Sequence, residues 1–149
     1  MRIFALELDN DIKSIAHRKE YIESLIAKLD RPGLVVLPEL SLCSYMGSDE
    51  VWKYADENSH LTSAWAMELA EKYHTCIATG FVEKTNGEYY NSYLIADKDK
   101  VCGVVRKSEG ESYVFKRGDF GNIIETPFGE VGVAICYDSR RKHFYENIR

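Results

Sequence analysis

Apolar positions along this chain fall into short unbroken runs separated by a helical stripe and by turn residues. Residues 2–8 form an apolar-rich run that reads as a strand. After it, Ile12, Ile15, Ile22, Leu25, Ile26 and Leu29 recur at intervals of three, four and seven, which is one face of an amphipathic helix. Asn10 or Asp11 stands where a cap is needed, and Pro32-Gly33 closes the helix. Leu34-Val35-Val36-Leu37 has no alternation, so it predicts a strand buried on both faces. Pro38 stops it and leaves Glu39 just past a strand's C-terminal end, a frequent place for site residues in α/β folds.

A second helix is predicted over residues 59–74, where Leu61, Trp65, Leu69 and Tyr73 step by four. Strands follow over residues 76–82, 89–96 and 101–105, joined by the Asn86-Gly87 hairpin signal and a polar turn at 97–100. A last pair, residues 122–126 and 131–135, flanks the turn Pro127-Phe128-Gly129 and delivers Cys136 at its end. A further helix is expected to begin near Arg141. The pattern is βαβαβ followed by antiparallel strands: a layered α/β (α+β) fold, one domain over residues 1–149, without internal repeats or linkers.

A length of 149 residues suits one domain. A net charge of −5, with no basic run beyond Arg140-Arg141-Lys142, argues against a nucleic-acid partner. No run approaches the roughly 20 apolar residues that span a bilayer, and the N-terminus lacks the pattern of a secretory signal. The four cysteines, Cys43, Cys76, Cys102 and Cys136, are far apart with no Cys-x-x-Cys pair. That spacing predicts neither a disulfide framework nor a zinc site. The expectation is a cytoplasmic protein with reduced thiols, no metal, no cofactor and no membrane partner.

Three positions then stand out as carriers of chemistry: Glu39, Lys107 and Cys136. Cys136 leaves the apolar run Val131-Gly132-Val133-Ala134-Ile135 and enters the polar Tyr137-Asp138-Ser139-Arg140, the pattern of a nucleophile elbow. Taken singly, each has a structural alternative. A cysteine can close a core strand, an acid can be solvated at a strand end, and a lysine can be exposed. Asp138 and Arg140 read as an ion pair fixing the elbow, and Tyr45, Trp52, Trp65 and Tyr113 read as core.

Four separated segments resemble, in order, those of the nitrilase superfamily of carbon–nitrogen hydrolases. They are Leu34-Val35-Val36-Leu37-Pro38-Glu39-Leu40; Thr79-Gly80-Phe81-Val82-Glu83 with Tyr90-Asn91-Ser92; Val105-Arg106-Lys107; and Gly132-Val133-Ala134-Ile135-Cys136-Tyr137-Asp138-Ser139-Arg140. The resemblance implies Cys136 as nucleophile, Glu39 as general base and Lys107 as the cation of a catalytic triad. It also implies the backbone N–H of Tyr137 as an oxyanion donor, with Glu111, rivalled by Glu109, as a second catalytic acid. Two departures, Arg141-Lys142-His143 where the family carries Phe-Pro-Glu and the short polar Ser108-Glu109-Gly110-Glu111, leave the substrate open.

The fold so implied is half or more of a four-layer α-β-β-α sandwich, truncated at the C-terminus. The implied function is amide hydrolysis of a small molecule through an acyl thioester. The alternatives are nitrile hydrolysis, N-acyl transfer by the same three residues, or an inactive fragment that binds a partner through its open sheet face. Exposed apolar sheet surface promotes association, so a homo-oligomer is expected.

Overall fold

The computed structural model describes residues 1–12, 14–46, 48–109, 113–119 and 121–146. Strands β1 (Ile3–Ala5), β2 (Leu34–Val36), β3 (Asp56–Glu57), β4 (Cys76–Thr85), β5 (Glu88–Ala96) and β6 (Val101–Arg106) form a six-stranded sheet. Its order is β1-β2-β4-β5-β6, with β3 pairing β4 at Glu83 and Lys84, beyond the stretch of β4 that β2 covers. The first strands run parallel and the β4–β5–β6 part is an antiparallel meander. Helices α1 (Ile15–Ile26) and α2 (His60–Tyr73) are the crossovers that parallel pairing requires. Strands β7 (Ile123–Thr126) and β8 (Gly129–Gly132) form a separate antiparallel pair, and α3 (His143–Glu146) follows the Cys136 segment.

Strand periodicity sorts the side chains into two layers of core. Val35, Ile77, Phe81 and Leu94 point at α1 and α2, meeting Ile22, Ile26, Trp65, Ala66 and Leu69. Their neighbours Leu34, Cys76, Ala78 and Ile95 point the other way, meeting Ile124, Val133 and Ile135. Ile22, Ile26, Val35, Ile77 and Leu94 are each no more than 1% exposed, contributing about 1.5–3 kcal/mol apiece relative to an exposed position. A third cluster joins Leu40, Cys43, Val51 and Val82 to Val114 and Phe115, so the chain after Glu39 packs against the chain after Lys107.

Several boundaries differ from the sequence expectation. The α1 helix starts at Ile15 with Ser14 as its cap residue, not Asn10 or Asp11, and Ile12 lies outside it. The cause is local: Asp9 turns back to accept the Asp11 N–H at 2.8 Å. Arg18 then holds the carbonyls of Asp9 (2.8 Å) and Ile12 (2.7 Å). Arg18 itself, a cation on the buried helix face at 1% exposure, also donates to the Ser41 carbonyl at 2.6 Å and so ties α1 to the loop beyond Glu39.

The 3-10 turn Asp49–Tyr54 and the short β3 lack a hydrophobic period and were not expected. β8 ends at Gly132, not Ile135: the Val133 N–H still reaches the Asn122 carbonyl at 2.7 Å, after which the chain continues unladdered. α3 begins at His143 rather than near Arg141. Trp65 is core as expected, and Trp52 stacks on Tyr89 at 4.7 Å. Tyr45 and Tyr113, by contrast, are exposed.

Across the meander, the carboxylate of Glu83 accepts from Arg106 Nε (2.8 Å) and Nη2 (2.7 Å), from Ser92 Oγ (2.7 Å) and from Thr85 Oγ1 (3.1 Å). Burial pushes this carboxyl upward, but the Arg106 guanidinium and the hydroxyls outweigh it and hold the group below its ordinary value near 4.5. A depressed folded-state value stabilises the fold above about pH 4.5, and that contribution is lost as pH falls through the folded value. Urea denaturation should therefore find Glu83→Gln less stable by roughly 1.5–3 kcal/mol at neutral pH, the deficit shrinking below pH 4.5. A deficit independent of pH would count against the ion pair as its source.

Candidate active site

Glu39 is held by the turn that follows β2. The Leu37 N–H reaches the Ala78 carbonyl at 2.9 Å, and the Tyr93 hydroxyl donates to the Leu37 carbonyl at 2.6 Å. Leu40 then adopts φ 51°, turning the chain back so that Ser41 Oγ donates to the Gly80 carbonyl at 2.9 Å. Gly80 makes this possible: a Cβ there would lie 2.5 Å from Leu40 N and 2.8 Å from the Pro38 carbonyl oxygen. Backbone atoms cannot yield as a flexible side chain can, so only glycine lets β4 run this close beneath Glu39.

Lys107 lies one residue beyond β6. Its backbone N–H donates to the Asn91 carbonyl at 2.8 Å and its carbonyl accepts the Gly118 N–H at 2.9 Å. Its ammonium donates to Glu39 Oε1 at 2.8 Å, with side-chain exposures of 3% for Lys107 and 16% for Glu39. Asn91 Nδ2 donates to the same oxygen at 2.8 Å. An ion pair this dry, sharing a carboxylate oxygen with a neutral amide, is unlike a surface pair, which keeps both charges in water.

Cys136 opens a 3-10 turn, Cys136–Arg140, directly after the extended Ile135. It has φ 49°, in the left-handed region that a residue with a Cβ rarely adopts. Unlike Cys43 and Cys76, which are buried, Cys136 is exposed. Burial pushes the Cys43 thiol up to about 12 and the Cys76 thiol up to about 11, leaving them unreactive near neutrality. Cys136 and Glu39 together line two cavities. One, about 330 Å³, is apolar and runs between the sheets past Val36, Tyr93 and Val133. The other, about 490 Å³, opens past Glu7, Asn10 and Tyr45.

The expected Asp138–Arg140 pair does not form. Asp138 is fully buried and instead accepts from the Ser108 N–H (3.3 Å), Ser108 Oγ (3.2 Å) and the Glu109 N–H (2.9 Å). Burial raises its carboxyl above the ordinary value even against these donors. Asp138 thus fastens the turn carrying Cys136 to the residues following Lys107. Arg140 and Arg141 lie 5.5 Å from the Tyr137 ring, and Arg141 pairs with Glu109 at 3.1 Å.

Glu39 and Lys107 are therefore in direct contact, and Cys136 shares two cavities with Glu39. Tyr137 follows Cys136 within the turn. Glu111 lies outside the described residues, while its rival Glu109 is engaged by Arg141. Asn91 was not assigned a role from sequence, and Asp138 was expected to fix the elbow through Arg140 rather than through Ser108 and Glu109; no spacing rule tells which partner a lone Asn or Asp finds. Among the described residues, no three His, Cys, Asp or Glu side chains gather as metal ligands would. No described helix is long and apolar enough to cross a membrane.

The family profile described as carbon-nitrogen hydrolase matches residues 12–145. The chain belongs to that family. A probable nitrilase of Schizosaccharomyces pombe is 31% identical over 138 residues, 87% of this chain and 51% of that protein. The N-carbamoylputrescine amidase of Arabidopsis thaliana is 36% identical over 89 residues, 54% of this chain and 30% of that protein. The crystal structure of a carbon-nitrogen hydrolase from Helicobacter pylori superposes with a TM-score of 0.79 at 26% identity, covering 91% of this chain and 51% of that one. This carbon-nitrogen hydrolase chain thus shares the nitrilase fold and spans about half the length of the first relative it matches.

Proposed function

We propose that this chain carries the reacting groups of a small-molecule amidase, with Cys136 as nucleophile, Glu39 as base and Lys107 as the stabilising cation. The observation that carries the reading is Glu39, paired with the buried Lys107 at 2.8 Å, on the wall of two cavities that Cys136 also lines. Membership of a carbon-nitrogen hydrolase family and the similarity to a plant amidase support the reaction class.

An unperturbed thiol, with a pKa near ~8.5, is mostly protonated at neutral pH and needs a base. Glu39 takes the Cys136 proton as sulfur bonds to the amide carbon, and the C=O electrons move to oxygen. Lys107 and the Tyr137 N–H stabilise that oxyanion, the kind of donor worth about 3–4 kcal/mol of barrier. The C–N bond breaks as Glu39 returns the proton to the leaving amine, and a thioester remains on Cys136. Water, losing a proton to Glu39 or Glu111, attacks the thioester carbon; the C–S bond breaks, the acid leaves, and the proton passes back to the Cys136 sulfur. Splitting one difficult displacement into two easier ones is the gain from the covalent step.

The test is a panel of small amides with ammonia release and intact-protein mass read together. Turnover with an acyl adduct mapped to Cys136 is expected. Turnover with the adduct elsewhere, or none, would remove Cys136 from the mechanism. Adding an amine acceptor separates hydrolysis from acyl transfer, which would divert product to a new amide.

A further inference from the structure

Asn91, on β5 and 1% exposed, touches both members of the buried ion pair. Its backbone carbonyl accepts the Lys107 N–H at 2.8 Å, and its side-chain Nδ2 donates to Glu39 Oε1 at 2.8 Å. The Lys107 ammonium donates to that same oxygen at 2.8 Å. Among the described residues, both hydrogen bonds to Glu39 fall on Oε1 and none on Oε2. The orientation of the amide follows from chemistry, since a carboxylate only accepts and must face the nitrogen.

That orientation has a cost. Asn91 Oδ1 is buried and has no hydrogen-bond partner among the described residues. A half-satisfied amide is a poor choice for filling space, because an apolar side chain would leave no acceptor stranded. The packing of β5 therefore does not explain Asn91, whereas its bond to Glu39 does.

We infer that Asn91 is a positioning residue: with Lys107 it saturates Oε1 and so reserves Oε2 as the oxygen that takes the Cys136 proton. The inference rests on the roles proposed above for Cys136 and Glu39. Locking one carboxylate oxygen fixes the plane of the base, and a base held in its productive orientation loses nothing to rotation at the moment of transfer.

Alkylation by iodoacetamide tests this without requiring turnover. Sulfur bonds to the methylene carbon, iodide leaves, and the thiol proton passes to Glu39. Rates at each cysteine peptide are followed by mass spectrometry at pH 7 in wild type, Glu39→Gln, Asn91→Ala and Asn91→Leu, the last refilling the volume without a donor. Cys136 should react about tenfold more slowly in both Asn91 variants, with the buried Cys43 and Cys76 as protected as in wild type. An undiminished Cys136 rate in either Asn91 variant overturns the inference. So does slowing accompanied in both variants by labelling of Cys43 and Cys76, the signature of a loosened fold. If Glu39→Gln alkylates like wild type, the proposed base fails and the inference with it. If Glu39→Gln slows while the Asn91 variants do not, only the role of Asn91 is lost.

Discussion

Cys136→Ala should abolish amide turnover, lowering kcat by on the order of 10⁴-fold or more, the scale seen when a covalent nucleophile is removed. The fold should hardly notice. Cys136 is exposed, so its truncation forms no cavity, and exposed substitutions of this kind usually fall within about 0.5 kcal/mol. The strained φ of 49° at this position is tolerated no worse by alanine than by cysteine. Unchanged denaturation with activity gone separates a chemical role from a structural one. The other thiols cannot substitute: burial pushes Cys43 up to about 12, Cys76 up to about 11 and the half-buried Cys102 in the same direction, leaving little thiolate at neutral pH. Ammonia release equal to wild type would remove Cys136 from the reaction altogether.

Lys107→Met should be costly twice over. The variant keeps the stem but deletes the ammonium, leaving the Glu39 carboxylate in a site where its cation was 3% exposed. Stranding one charge of a buried pair typically costs 3–5 kcal/mol. Glu39 retains 16% exposure, so the lower end, about 3 kcal/mol, is expected in urea denaturation. Activity should fall by a further factor of about 10²–10³ through loss of an oxyanion donor. The double variant Glu39→Gln/Lys107→Met should regain part of the stability and none of the activity, because it removes the orphan charge but also the base. A double variant no more stable than Lys107→Met would show that the pair's electrostatics are not the source of the loss.

The legibility of this chain differs by element. The helix stripe through Ile22 and Ile26, the unbroken Leu34–Val36 strand and the Asn86-Gly87 turn were readable because each rests on a local rule of period or backbone angle. Asn86 and Gly87 indeed adopt positive φ values of 52° and 79°, as a tight hairpin demands. The start of α1 was misplaced because Arg18 competes for the Asp9 and Ile12 carbonyls from a turn away. Strand β3 and the Asp49–Tyr54 turn were missed because two paired residues and one tight turn carry no hydrophobic period.

The site divides in the same way. Cys136, Glu39 and Lys107 were singled out because each follows an apolar run and stands in a segment resembling one family. What those residues touch was not legible. Asp138 was assigned to Arg140, two positions away, yet its carboxylate reaches Ser108 and Glu109 from the next loop. Asn91 lay in a quoted segment without a role until β5 brought it to Glu39 at 2.8 Å.

By itself, then, the sequence determined the order of the helices and of the strands other than β3, the two-sided burial of the sheet and which three side chains were candidates for chemistry. The first two follow from hydrophobic period and turn angles, properties of neighbours along the chain; the third follows from residue type together with the resemblance of the segments to one family. Only the tertiary structure decided that the Lys107 ammonium is dry and paired, that Asn91 shares its oxygen, and that Asp138 fastens the Cys136 turn. Each of these is a contact across tens of residues, set by strand register and by the close passage of β4 at Gly80, and a linear pattern of polarity carries neither.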